Sequence, residues 1–83
     1  EVIHPTCIIG DHNIIGEGFV AYPYARISVN VKIGKRVFFG THAMVIPGRT
    51  IGDDAYIGAG SVVITDINSN VKVIGNPARK INF

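Results

Sequence analysis

The stretch VNVKIG KRVFFG THAMVI PGRTIG DDAYIG, residues 29–58, decides the fold. Written in sixes, its fifth column reads Ile33, Phe39, Val45, Ile51, Ile57 and its third reads Val31, Val37, Ala43, Arg49, Ala55. The register extends in both directions. Ile3, Ile9, Ile15, Ala21 and Ile27 precede it and Val63 follows, so ten of the eleven lead positions are large and apolar. Gly comes next after six of them, at Gly10, Gly16, Gly34, Gly40, Gly52 and Gly58. A fixed short period of this kind marks a stacked solenoid, in which each repeat buries its apolar face only against its neighbours.

A hexad has room for a short strand and a tight corner. Alternate residues of a strand face the same way, so each lead residue and the residue two before it point inward together. The inward pairs are then Cys7/Ile9, Asn13/Ile15, Phe19/Ala21, Ala25/Ile27, Val31/Ile33, Val37/Phe39, Ala43/Val45, Arg49/Ile51, Ala55/Ile57 and Ser61/Val63. At Ala21, the one small lead residue, the partner grows to Phe19, which keeps the filled volume nearly constant as a close-packed interior requires. Asn13 and Arg49 break the apolar pattern. Asn13 is expected to bond to backbone. An inward unpaired guanidinium is costly, so Arg49 is expected to escape at its Pro47-Gly48 corner or to lie near an open end.

Three hexads per coil make a triangular prism with 18 residues per turn, an all-β parallel solenoid of about three and two-thirds coils with strands about 4.8 Å apart. Residues 18 apart then stack. The outward columns are Val20–Phe38–Tyr56, Ile8–Arg26–Met44–Val62 and Ile14–Lys32–Thr50. The first is apolar and the second nearly so, and exposed apolar columns mark interaction surfaces. The expected interface sets Val20, Phe38 and Tyr56 against Ile8, Met44 and Val62 of a neighbouring prism. Residues 1–67 form the repeat region, with the register ending after Val63 and a polar loop at 66–70. Residues 68–83 add a strand at 71–74, a turn at 75–78 and a basic tail at 79–83 too short for a stable helix.

Eighty-three residues make one small domain, marginal alone because both solenoid ends are open. Net charge is +2 with no basic block, so nothing reads as a nucleic-acid footprint. No apolar run approaches the roughly 20 residues needed to cross a bilayer, and no membrane partner is expected. The lone cysteine, Cys7, excludes an intrachain disulfide and a Cys-pair metal site. A cytoplasmic home is the default expectation, and a chain starting at Glu1 reads as a fragment, a processed product or a trimmed piece.

The hexads, the phrase Ile57-Gly58-Ala59-Gly60-Ser61-Val62-Val63, the opening His4-Pro5-Thr6 and the ending Gly75-Asn76-Pro77-Ala78-Arg79 resemble the hexapeptide-repeat acyltransferases. The likeness is strongest to sugar O- and N-acetyltransferases of the sialic-acid O-acetyltransferase type. It implies a left-handed parallel β-helix, against the general right-handed rule for parallel crossovers. It also implies a homotrimer, acetyl-CoA as co-substrate in the groove between prisms, and a sugar or nucleotide-sugar acceptor. Relatives of this type carry an N-terminal nucleotide-sugar-binding domain, further repeats and a catalytic His followed by an acid. In these 83 residues the His phrases are His4-Pro5, His12-Asn13 and His42-Ala43.

Acyl transfer to a hydroxyl or amine needs a general base and an oxyanion donor, and His suits the base role. His42 is the first candidate, one coil above Tyr24. His12, stacked under Asn30, is the second, and His4 is read as structural. For the cofactor, the resemblance points to the backbone at Gly58, Ala59, Gly60 and Ser61, where glycine permits close approach. It also points to Asn76, Pro77 and Ala78, with Arg79 and Lys80 for phosphates. Gly58 and Gly60 are equally explained as corner residues. The γ-type carbonic anhydrases use the same prism, but their three-His metal site has no counterpart after His42, so no metal is expected. The remaining alternative is a catalytically inactive or minimal β-helix serving as an assembly scaffold.

Overall fold

A computed structural model describes residues 2–81, and the Asn82-Phe83 end of the tail lies outside the described residues. The described residues form thirteen short strands, the first eleven of them on the hexads. They are β1 (Val2–Ile3), β2 (Ile8–Ile9), β3 (Ile14–Ile15), β4 (Val20–Ala21), β5 (Arg26–Ile27), β6 (Lys32–Ile33) and β7 (Phe38–Phe39). Then come β8 (Met44–Val45), β9 (Thr50–Ile51), β10 (Tyr56–Ile57), β11 (Val62–Val63), β12 (Lys72–Ile74) and β13 (Arg79–Lys80). They stack as three parallel sheets: β1-β4-β7-β10-β12 with β13 added, β2-β5-β8-β11, and β3-β6-β9. These are the first, second and third faces of the prism. The register is the one read from the spacing, with Val20 beside Phe38, Arg26 beside Met44 and Lys32 beside Thr50.

The inward columns fill the prism. Phe19, Ala21, Val31, Ile33, Val37, Phe39, Val45, Ile51, Ala55, Ile57 and Val63 are all buried. Phe19 meets Phe39 edge-on at 5.7 Å, spending the room that Ala21 leaves. Asn13 sits inside and is bonded throughout: its Nδ2 donates to Gly10 O at 3.0 Å and Ser28 O at 2.8 Å, and its Oδ1 accepts the Val31 N–H at 2.9 Å. Every buried polar atom there has a partner, which is the condition for tolerating it.

Two kinds of corner residue serve different ends. Where glycine follows the lead position, at Gly10, Gly16, Gly34, Gly40 and Gly52, it lies against the backbone of the next coil. A Cβ on Gly40 would stand 2.6 Å from Ala59 N, so only glycine fits. The second corner residue instead takes the left-handed conformation, at His12, Gly18, Tyr24, Asn30, Arg36, His42, Gly48, Asp54 and Gly60 without a break. Glycine, asparagine and aspartate are the residues that visit this region at little cost.

The spacing changes after Val63. Ile67, buried, bridges Ile51, and Tyr56 and Ile57 pair with Lys72 and Val73. Sixteen residues separate these partners, not eighteen. The six-residue register does end at Val63, but the coiling does not: the stretch read as a polar loop completes a fourth coil with a corner two residues shorter. Asp66 supports that corner by accepting the Thr50 N–H at 2.9 Å. Arg49 leaves the interior toward the same carboxylate, its Nε 3.9 Å from Asp66 Oδ1 and its side chain 37% exposed. That Nε is buried without a hydrogen-bond partner. The escape expected of Arg49 is thus directed at the shortened corner of the coil above.

The basic tail forms a strand. After β12, Gly75–Ala78 folds onto the second face, where Val62 N–H donates to Gly75 O at 2.9 Å and Ala78 N–H donates to Val62 O at 2.8 Å. β13 then returns antiparallel to β12, pairing Arg79 with Ile74 and Lys80 with Val73. This hairpin covers one end of the prism and leaves a cavity of about 280 Å³ lined by residues including Thr65, Asp66, Ile67, Val73, Arg79 and Lys80. The other end is open, with Ile3 40% and Ile9 36% exposed.

Candidate active site

The edge between the first and second faces is built from four tight turns stacked one per coil: His4–Cys7, Tyr22–Ala25, Gly40–Ala43 and Gly58–Ser61. Each is closed by a bond from its fourth N–H to its first carbonyl, at 2.9, 3.2, 3.1 and 3.2 Å. Pro at the second position of the first two pre-sets the turn. The third position projects from the edge, and its occupants in order are Thr6, Tyr24, His42 and Gly60.

His42 lies parallel to Tyr24, ring centroids 5.0 Å apart and planes 13° apart. Its N–H donates to Pro23 O at 3.1 Å. Tyr24 N–H donates to Thr6 Oγ1 at 3.0 Å, and that hydroxyl is 2.9 Å from His4 Nδ1. On the other side of His42 the turn is held by Gly60 N–H donating to Thr41 O at 2.8 Å. A Cβ on Gly60 would meet nothing within 4 Å. His42 therefore has one ring face on Tyr24 and an edge without a side chain beside the other.

The fold brings His42 together with Gly58, Ala59 and Gly60 on this edge. Asn76, Pro77 and Ala78 join them, since Gly75 N–H donates to Ser61 Oγ at 3.0 Å. Ile74 covers Gly58, whose Cβ position lies 2.9 Å from it. Ser61 itself is fully buried, its hydroxyl accepting the Gly75 N–H, so it presents no atom to the surface of this edge. Ala59 is exposed, as are Arg79 and Lys80 at the capped end. His12 stands on the edge between the second and third faces, apart from this group, in a left-handed corner below Asn30. His4 shares the edge of His42, two coils away, and caps Thr6.

Beside the edge, the first face carries a run of rings. Tyr22 meets Phe38 edge-on at 4.9 Å, Phe38 stacks on Tyr56 at 4.7 Å, and Lys72 Nζ stands 5.8 Å from the Tyr56 ring. Tyr22 and the Thr6 support were not singled out from the sequence, although 18-residue spacing places Tyr22 in the column 4, 22, 40, 58 and Thr6 in the column 6, 24, 42, 60. The ion pairs lie elsewhere, with Lys35–Glu17 and Arg36–Asp54 on the edge between the third and first faces. Bidentate hydrogen bonding to Arg36 holds the Asp54 carboxyl below its ordinary range and raises the Arg36 guanidinium. Among the described residues no group of three or more His, Cys, Asp or Glu is placed to hold a metal ion.

Residues 30–65 match the bacterial transferase hexapeptide family, a pattern of six repeats. The chain is 48% identical over 54 residues to galactoside O-acetyltransferase of Escherichia coli, covering 65% of this chain and 27% of that protein. Among solved structures it matches a galactoside acetyltransferase in complex with coenzyme A at a TM-score of 0.79 and 30% identity, over 94% of this chain and 55% of that one. A perosamine N-acetyltransferase from Caulobacter crescentus, in complex with CoA and GDP-perosamine, matches at 0.74 and 27%, over 98% and 56%. The chain thus spans about a quarter of the curated relative's length and just over half of the solved ones. Six-residue register, three stacked parallel faces and these likenesses agree: the chain carries the hexapeptide repeat and folds as a parallel β-helix, similar to the left-handed β-helices of hexapeptide-repeat acetyltransferases.

Proposed function

We propose that the chain is the β-helix of an acetyl-CoA-dependent acetyltransferase acting on a sugar hydroxyl or amine, with His42 as general base. The observation that carries this reading is the placement of His42 on the same prism edge as Gly58–Gly60, one coil apart, with no side chain at Gly60 to cover it. The relatives that bind CoA and a nucleotide sugar supply the substrate class.

The imidazole accepts the acceptor's proton as its oxygen or nitrogen attacks the thioester carbonyl carbon. A backbone N–H stabilises the resulting oxyanion. Collapse breaks the C–S bond, the acetyl group stays on the acceptor, and the coenzyme A thiolate recovers the proton from His42. The pantetheine chain runs past Ala59 and Gly60, where no bulk obstructs it, toward the Asn76–Ala78 turn. Arg79 and Lys80 meet the phosphates as charge-assisted donors. The groove closes when Val20, Phe38 and Tyr56 of one prism face Ile8, Met44 and Val62 of the next in a homotrimer.

Calorimetric titration with coenzyme A tests the binding half, and silence at millimolar ligand returns the chain to a bare assembly scaffold. His42→Asn tests the chemistry. Asparagine tolerates the left-handed φ of 62°, so the fold is retained while turnover falls about 100- to 10,000-fold. Undiminished turnover removes His42 from the mechanism.

A further inference from the structure

We infer that Tyr24 is a positioning residue for His42, holding the imidazole by its lower face so that its nitrogens meet substrate arriving past Gly60. The inference rests on the reading of His42 as the base.

The third position of a turn with φ near +60° is normally glycine or asparagine, because a Cβ crowds the following carbonyl there. Along this edge Gly60 follows that rule. Tyr24 and His42 break it in consecutive coils, at φ 66° and 62°. Backbone strain of this kind clusters at functional sites. Neither ring fills the core, since both project from the edge, and Tyr24 remains 53% exposed. What the two departures accomplish together is the parallel contact at 5.0 Å.

That contact matters because, among the described residues, no other side chain holds the His42 ring. Its backbone is latched by Pro23 O and its neighbour Thr41 by Gly60 N–H, but the ring turns about two torsions at an exposed corner. A base that is free to rotate spends little time in line with the proton it must take. The Tyr24 ring removes one half of that freedom. Tyr24 in turn is anchored from below. Pro23 fixes the preceding φ, and Thr6 Oγ1, braced by His4 Nδ1, accepts the Tyr24 N–H. The column His4, Thr6, Tyr24, His42 is a stack of supports ending where Gly60 leaves space.

The test uses Tyr24→Asn and Tyr24→Phe in the same assay. Asparagine keeps the left-handed backbone and removes the ring, and phenylalanine keeps the ring and removes the hydroxyl. Tyr24→Asn is expected to lower kcat roughly 10- to 100-fold with KM for both substrates held within about twofold, and Tyr24→Phe to restore kcat. In NMR spectra the His42 ring protons, shielded by the parallel ring, are expected to move downfield in Tyr24→Asn and to stay in place in Tyr24→Phe. Unchanged kcat in Tyr24→Asn, while His42→Asn is inactive, overturns the positioning role and leaves the base reading standing. Full turnover in His42→Asn overturns the base reading itself, and the positioning role falls with it. A loss in Tyr24→Phe equal to that in Tyr24→Asn overturns stacking in favour of the hydroxyl.

Discussion

Phe19 and Ala21 allow the packing logic of the prism to be tested as a sign change. Phe19 is fully buried, is the first inward residue of the second coil, and meets Phe39 edge-on at 5.7 Å. Ala21 lies directly below Phe39 in the first face. Truncating Phe19 to Ala removes a buried ring and leaves a hole, a change that costs about 3–5 kcal/mol in close-packed cores. A chain of this length has roughly 4–12 kcal/mol of stability in total, so the single variant stands near the edge of folding. Ala21→Ile alone crowds Phe39 and Phe19 and is expected to cost about 1–3 kcal/mol. In the Phe19→Ala background the same substitution recreates the small-then-large order of Ala25/Ile27 and Ala55/Ile57. It adds three carbons to a vacated space, at about 0.8 kcal/mol each, and returns about 2 kcal/mol. Urea unfolding followed by far-ultraviolet circular dichroism, with a common m-value, reads all four corners of the cycle. A double variant no more stable than Phe19→Ala refutes constant inward volume as the rule that selects these residues.

Phe38→Asp is expected to give monomers on a sizing column with the protomer still folded, and an unaltered trimer refutes the Val20–Phe38–Tyr56 face as the interface. Gly40→Ala is expected to cost more than Gly48→Ala in chemical denaturation. The Cβ meets Ala59 N at 2.6 Å in the first case and nothing within 4 Å in the second, where only the left-handed φ of 78° opposes it, at about 1 kcal/mol; equal costs refute the close-approach account. Asp54, with its folded pKa depressed by Arg36, contributes stability that is complete above the ordinary carboxylate value of about 4 and is lost as pH falls through the lower folded one. Asp54→Asn keeps the corner and is expected to flatten the acid limb of the stability profile below about pH 4, with less difference from the parent at high salt; an unchanged limb refutes the assignment.

Inward residues were legible because each is fixed twice, by alternation along its strand and by stacking at eighteen. Asn13 was readable for the same reason, since an inward amide has only backbone to bond. The fourth coil was not, because the corner after Val63 drops two residues, and a fixed count then places Ile67 off the inward column. Nothing in Ile64-Thr65-Asp66 announces the cut. It shows only once Ile67 is found beside Ile51 and Arg49 is found reaching for Asp66. The tail, too short for a stable helix, was not read as a strand because that strand is stabilised by pairing with β12 at the end of the prism, a partner that local composition does not reveal.

Edge residues obey a weaker rule, and that weakness makes their exceptions informative. An inward position must supply volume, so a large residue there explains itself. The third position of a turn asks only for a residue that accepts positive φ, which Gly18, Asn30, Gly48, Gly60 and Asn70 supply directly. Asp54 belongs with them by residue type, and Arg36 departs from the rule but is paired to it through two hydrogen bonds at 2.8 and 3.0 Å. His12 departs alone, on an edge shared with none of the other candidate residues. Tyr24 and His42 depart together, one directly above the other, next to the glycines that leave the surface open. The fold would be served at lower cost by glycine at both positions. Neither packing nor ion pairing demands these two rings, and that is the reason the proposed chemistry is assigned to this edge rather than to His12.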